Sequence, residues 1–407
     1  MDKMSLEKRK YIFHKTLSLI EKYFAHWERI PDISLKKLNK EYALRVQKTI
    51  DRYYFYLLMS ELISKLKNTH TWYTDNLVWK RYGMQTGFRA VYMTNIRRWI
   101  VVSSNRKDIL IGDVITKVNG ISTEKFFKDN KKYISASNER AARNNLFSFY
   151  TFLPIRFDLE LNGKKKIDIK RTESVYSEGE GNQVSYKILS KKIAYLKIKS
   201  FGKPKFEKTA LKYMSILNKF PAVIIDLRDN YGGTTPLKLT KRLSNKPWRR
   251  PIYLRVVHSS TSQNVIGLNK FKGKNYYVHN SIVYKKTISK TFKPSRNAYK
   301  GKLIMLANES TLSAAEDFLI MFKDNKRALI IGNRTKGSDG DVCFSKLDKN
   351  VSIGVGCVRV QFPDGRDFEG VGIVPDIIVY PKIEDLRNNI DAVLNKALEI
   401  TISDKKR

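Results

Sequence analysis

Two stretches of this chain, about eighty residues apart, carry residue types suited to attack on a carbonyl group. The first is Val223-Ile224-Ile225-Asp226-Leu227-Arg228-Asp229-Asn230-Tyr231-Gly232-Gly233. It reads as a short buried strand closing on a glycine pair, where backbone N–H groups can approach a ligand with no side chain between. The second is Ser310-Thr311-Leu312-Ser313-Ala314-Ala315-Glu316-Asp317. It lies between the apolar runs Leu303 to Ala307 and Phe318 to Phe322, so a serine stands where a strand turns into a helix. A hydroxyl there is exposed, and the N–H that follows suits an oxyanion site. The same spacing also describes an ordinary helix start, with Ser310 or Ser313 as N-cap and Glu316 supporting it. The glycine pair tips the balance toward chemistry, because it supplies an oxyanion donor in the same neighbourhood.

With both segments in view, the chain resembles the tail-specific (C-terminal processing) and tricorn-core family of serine peptidases. Downstream, Arg327-Ala328-Leu329-Ile330-Ile331-Gly332 followed by Thr335-Lys336-Gly337 is similar to the family's strand after the nucleophile helix. The run from Phe362-Pro363-Asp364-Gly365 through Phe368-Glu369-Gly370-Val371-Gly372 to Val374-Pro375-Asp376 is similar to its closing signature. Upstream, Leu110-Ile111-Gly112-Asp113-Val114-Ile115 and Val118-Asn119-Gly120 resemble the second half of a PDZ-type peptide-binding module. The resemblance runs from about residue 40 onward, with the motifs in the family's order.

The resemblance implies a nucleophile at Ser313 and two alternatives for its base. The processing peptidases carry a general-base lysine after Thr-x-Gly, where this chain has Ser338; Lys336 lies two places earlier and is the alternative base. The tricorn-like branch uses a histidine from the N-terminal region and a glutamate from the closing signature. His70, in Asn68-Thr69-His70-Thr71-Trp72, and Glu369 stand in those places. A serine hydroxyl needs a group to take its proton as it attacks. Neutral imidazole does this at physiological pH and returns the proton to the leaving amine. A carboxylate on the other ring nitrogen fixes the tautomer and stabilises the imidazolium, the role implied for Glu369. Thr69 would add a hydroxyl contact beside the histidine. Gly233, its neighbour Gly232, and Ala314 would offer the N–H groups of the oxyanion hole. Without the resemblance, His70 reads as a helix C-cap and Glu369 as a turn residue beside Gly370.

The elements that must position these residues can be read in outline. At 407 residues and 42% hydrophobic, the chain is long enough for two or three packed units. Residues 1–80 read as a helical region carrying His70; Tyr42 to Leu66 places apolar residues at helical spacing. Residues 81–174 hold short strand-like runs around Gly-Asp-Val-Ile and Asn-Gly turns, the PDZ-like unit. From 175 to 407, strands such as Ile193 to Ile198 alternate with helices, ending in an apolar-striped helix from Ile383 to Ile400. The expected fold class is α/β: a crotonase-like (ClpP-like) catalytic core, an N-terminal helical region and an inserted PDZ-like β-rich domain. Gly-Asp-Val-Ile and Asn-Gly also fit a plain strand and hairpin turn.

Charge is the outlying property. There are 78 Lys and Arg against 39 Asp and Glu, a formal net charge of +39, and no acidic residue between Asp229 and Glu309. Within that interval Trp248-Arg249-Arg250, Lys270-Phe271-Lys272-Gly273-Lys274 and Lys285-Lys286 are interleaved with tyrosines. Such a surface attracts polyanions, nucleic acid included, in low salt, and also describes a solvated face. The two cysteines, Cys343 and Cys357, specify neither a disulfide framework nor a metal site. The N-terminus has no apolar run of signal-peptide or membrane-span length, so an intracellular setting is expected. The expected activity is hydrolysis of polypeptide substrates, possible C-terminal processing included, without metal or other cofactor. The competing reading is a catalytically silent peptide-binding scaffold with a polyanion-binding surface.

Overall fold

The computed structural model describes residues 3–148, 150–171, 182–259, 275–279, 282–287 and 289–403. The chain divides into two compact units. The first comprises Met1–Tyr176, Tyr253–Thr287 and Gly340–Arg359; the second comprises Ser177–Ile252, Ile288–Asp339 and Val360–Arg407. The basic run from Lys270 to Lys274 lies outside the described residues.

In the first unit, the helices Leu6–Tyr23, Leu35–Lys48 and Arg52–Ser64 share a core built on Ile12, Phe13, Leu38, Tyr42, Phe55 and Met59. Each begins at a side-chain cap: Ser5 accepts from the Lys8 N–H, Ser34 from that of Lys37, and Asp51 from those of Tyr53 and Tyr54. The apolar periodicity from Tyr42 to Leu66 suggests one helix, but the structure breaks it at Thr49 to Asp51. Leu44, Ile50 and Tyr54 are exposed, so part of that stripe covers no core. Asp51 explains the break, since a short carboxylate gains more by capping a new helix than by continuing an old one. An antiparallel sheet of Trp72–Asp75, Val351–Gly356 and Val342–Lys346 closes the same core through Val351, Ile353 and Val355.

The same unit holds a β-rich lobe with its own core around Trp99, Ile115, Phe127, Leu159 and Ile169. Its antiparallel strands run in the order Phe88–Met93, Arg98–Ser104, Val114–Val118, Arg156–Leu161, Lys165–Lys170. Asn119 and Gly120 both have positive φ, 49° and 76°, the backbone of a tight two-residue hairpin turn. Cys343 and Cys357 are free thiols.

The second unit is organised on a six-stranded sheet. Its order is Ile377–Ile378, Leu329–Gly332, Lys302–Ala307, Ala222–Asp226, Ile193–Ile198, Val184–Ser190. All neighbours are parallel except the last pair. Ala222–Asp226 is buried at every residue, as a central parallel strand covered on both faces must be. The helix Ala314–Asp324 is buried from Ala314 through Phe322. The apolar stripe from Ile383 to Ile400 is also two helices, Ile383–Arg387 and Ala392–Ser403. Between them Asn389 takes a φ of 54°, and Asp391 accepts from the Leu394 N–H and from Arg228. An aspartate needed for a guanidinium and a helix start cannot sit inside a continuous helix. Among the described residues, no helix is long and apolar enough to cross a membrane.

Candidate active site

The second unit brings its two motif loops together at the ends of neighbouring strands. Leaving the strand Ala222–Asp226, the chain is held by the buried Asp226 carboxylate, which accepts from the Arg228 N–H, the Arg228 guanidinium and the Tyr195 hydroxyl. Burial opposes the Arg228 charge, but Asp226 and Asp391 outweigh it and raise its pKa. Asp229, at a φ of 61°, exchanges hydrogen bonds with Asn308: its N–H donates to Oδ1 at 3.0 Å and its carboxylate accepts from Nδ2 at 3.0 Å. Thr311 Oγ1 donates to the Leu227 carbonyl at 3.0 Å, and the Leu312 N–H to that of Asn230 at 2.9 Å.

These bonds seat the glycine pair against Ser313. A Cβ on Gly232 would lie 2.7 Å from the Ser313 Cβ and 2.9 Å from the Ala314 nitrogen. One on Gly233 would lie 2.2 Å from the Phe201 carbonyl carbon. Their φ values, 90° and 130°, also belong to glycine. The Gly232 N–H donates to Asn230 Oδ1 at 2.8 Å and is therefore engaged. Among the described residues, neither the Gly233 nor the Ala314 N–H meets a protein acceptor.

Ser313 is the N-cap of the helix Ala314–Asp324, with φ 59° and ψ −130°. A non-glycine residue held at positive φ stores backbone strain and marks a position fixed by its surroundings. Its N–H faces two acceptors, the Ser338 carbonyl at 3.1 Å and Glu316 Oε2 at 3.2 Å.

Thr335 to Asp339 and the closing signature complete the second unit's share. Gly370 N–H donates to the Gly337 carbonyl at 2.7 Å, and Ile373 N–H to Thr335 Oγ1 at 2.7 Å. Glu369 is buried; its carboxylate accepts the Ser338 hydroxyl at 2.9 Å and the Asp339 N–H at 3.2 Å. Lys336 is also buried, its N–H bonded to the Thr311 carbonyl at 3.0 Å and its ammonium 6.0 Å from the Tyr231 ring centre.

His70 and Thr69 belong to the first unit, in the turn between the helix Arg52–Ser64 and the strand Trp72–Asp75. That turn is braced on both sides. Thr69 exchanges hydrogen bonds with Ser137 through both N–H (2.9 Å) and hydroxyl (2.9 Å). Thr71 Oγ1 donates to Asn68 Oδ1 at 2.8 Å and accepts from the Gly356 N–H at 3.0 Å. His26, in the same unit, is buried, and burial first, then the charges of Arg29, Arg359 and His70, push its imidazole well below the usual value.

One residue of the site carried only a capping signal in the sequence. Glu316 is fully buried and accepts the Thr335 hydroxyl and the N–H groups of Gly337, Ser338 and Ser313. Its spacing three residues after Ser313 gave the cap; nothing local announces partners about twenty residues further on.

Residues 192–379 match the model of peptidase family S41. That stretch, a little under half of the chain, is similar to a peptidase family S41 domain. The carboxyl-terminal-processing peptidase 2, chloroplastic, of Arabidopsis thaliana is 25% identical over 280 residues, covering 67% of this chain and 47% of that protein. The chain thus spans about half the length of that curated relative, and less of others it matches. Among solved structures, mature CPAF aligns with a TM-score of 0.68 at 15% identity, covering 94% of this chain and 95% of its own. The photosystem II D1 C-terminal processing protease aligns with a TM-score of 0.54 at 17% identity, covering 95% and 98%. The mixed α/β fold of the chain therefore resembles that of these two structures.

Proposed function

We propose that the chain is a serine peptidase that hydrolyses peptide bonds in polypeptide substrates, C-terminal processing included. Ser313 attacks the carbonyl, His70 takes and returns the proton, and Glu369 orients and stabilises the imidazolium. Gly233 and Ala314 supply the oxyanion N–H groups, and Gly232, its own N–H engaged, leaves room for the nucleophile turn. Thr69 braces the histidine turn. The observation that carries this reading is Ser313 itself: a positive-φ serine at a helix start, backed by glycine, with two N–H groups nearby that meet no acceptor among the described residues. The S41 match and the names of the relatives support the same reading. In fold terms, the second unit's sheet fits a crotonase-like core, and the lobe of Phe88–Lys170 fits a PDZ-like module.

The test is peptide hydrolysis by wild type and Ser313→Ala. Loss of turnover by about a thousandfold or more with unchanged circular dichroism is expected; full activity in the variant overturns the assignment. A second reading has Lys336 as base, favoured by its burial beside Thr311. Activity that survives His70→Ala and is lost in Lys336→Ala selects it. The catalytically silent scaffold predicts instead that no fluorophosphonate probe reacts at Ser313.

A further inference from the structure

Glu316 has more partners than a helix cap requires. A capping box accounts for one of its bonds, the one from the Ser313 N–H at 3.2 Å. The other three come from a separate segment: the Thr335 hydroxyl, the Gly337 N–H at 2.8 Å and the Ser338 N–H at 3.1 Å. An ionised carboxylate is acceptor-only, with about four lone-pair sites, and these four donors fill them. Ser338 then ties the assembly together. Its N–H goes to Glu316, its hydroxyl to Glu369 at 2.9 Å, and its carbonyl accepts from Ser313 at 3.1 Å.

We propose that Glu316 is a positioning residue whose ionised carboxylate clamps the Ser313 turn to Thr335–Ser338, and that Ser313 is set for attack only in that form. The proposal rests on the reading of Ser313 as nucleophile. Protonation puts an O–H among four donors, so at least one must leave, and the turn that it held relaxes. Thr335 keeps its contact with a protonated Glu316 only by reversing it: one lone pair of its oxygen already accepts from the Ile373 N–H at 2.7 Å, the other would accept from Glu316, and its own proton would have to turn away from the carboxyl. Burial, partly offset by these hydrogen bonds, pushes the Glu316 carboxyl up to about 7, so the clamp opens and closes near neutral pH. Three other charged groups on the packed elements have separate engagements. Asp317 accepts from Thr235 at 2.7 Å, the Lys336 ammonium faces Tyr231, and Glu369 accepts from Ser338 and the Asp339 N–H.

The rate of fluorophosphonate labelling at Ser313, followed against pH, tests this. In wild type the fall toward acid is expected to be steeper than first order in protons, because His70 and Glu316 both take one up. In Glu316→Gln, which sets an amide donor among the donors, the rate above pH 8 drops by about a hundredfold and the acid limb becomes first order. If Glu316→Gln fails to fold, Thr335→Val decides, since it deletes one of the four donors; a drop of about tenfold is expected. A folded Glu316→Gln, or failing that Thr335→Val, that labels at the wild-type rate with the wild-type profile overturns the clamp alone. A wild type that never labels overturns the nucleophile reading, and the clamp with it.

Discussion

At the scale of single residues, the site depends on side chains that are absent as much as on those present. Gly232 has no Cβ because Ser313 and Ala314 occupy that space, at 2.7 and 2.9 Å. Gly232→Ala is expected to displace the Ser313 turn and lower fluorophosphonate labelling by about a hundredfold, with circular dichroism as the control for folding. Wild-type labelling in that variant would mean the contact is slack. Glu316 gives a second prediction that needs no catalysis. Its carboxyl is raised from the ordinary 4.5 to about 7, so the folded chain binds its proton more tightly than the unfolded chain does. The stability it contributes is fully present below the unfolded value and is lost as pH rises through about 7. Thermal midpoints of wild type relative to Glu316→Gln should therefore fall as pH rises from 4 to 8; a flat difference contradicts the titration.

At the scale of elements, caps and edges decide where function is held. Asp51 starts the helix that leads into the His70 turn, accepting two N–H groups. Asp51→Ala is expected to cost about 1 kcal/mol and to speed hydrogen exchange in Arg52–Ser64. In the β-rich lobe, the edge strand Phe88–Met93 has its Tyr92 N–H taken by Asn144 Oδ1 at 2.7 Å. Asn144→Ala leaves that buried donor unmatched, at about 1–3 kcal/mol, and should expose the Tyr92 amide to exchange. Protection unchanged in either variant would remove the claimed role. The sequence made the strand ends and the Ser313 helix start readable, because apolar runs, glycine pairs and capping spacings are local signals. It misplaced the helices around Asp51 and Asp391. There the apolar stripe continues and masks what breaks it: a local cap at Asp51, and at Asp391 the distant Arg228 guanidinium. The hub at Glu316 was hidden for the same reason, since three of its four donors lie 19 to 22 residues away.

At the scale of the whole molecule, the formal charge of +39 sets a background that any activity assay will meet. Retention on heparin or single-stranded nucleic acid is expected at low salt and should fall steeply, linearly in log–log form, as salt rises. Sequence-selective retention that survives moderate salt would instead mark a dedicated nucleic-acid function. The proposed chemistry draws His70, with Thr69 beside it, from the first unit and the rest from the second, so its central claim is functional unity across distant sequence. Labelling of Ser313 by a fluorophosphonate in wild type, His70→Ala, Glu369→Gln and the double variant tests this most directly. The account expects His70→Ala to lose at least about a thousandfold in rate, with the double variant no slower than His70→Ala alone. Independent, multiplying losses, or a His70→Ala variant that labels like wild type, would contradict it.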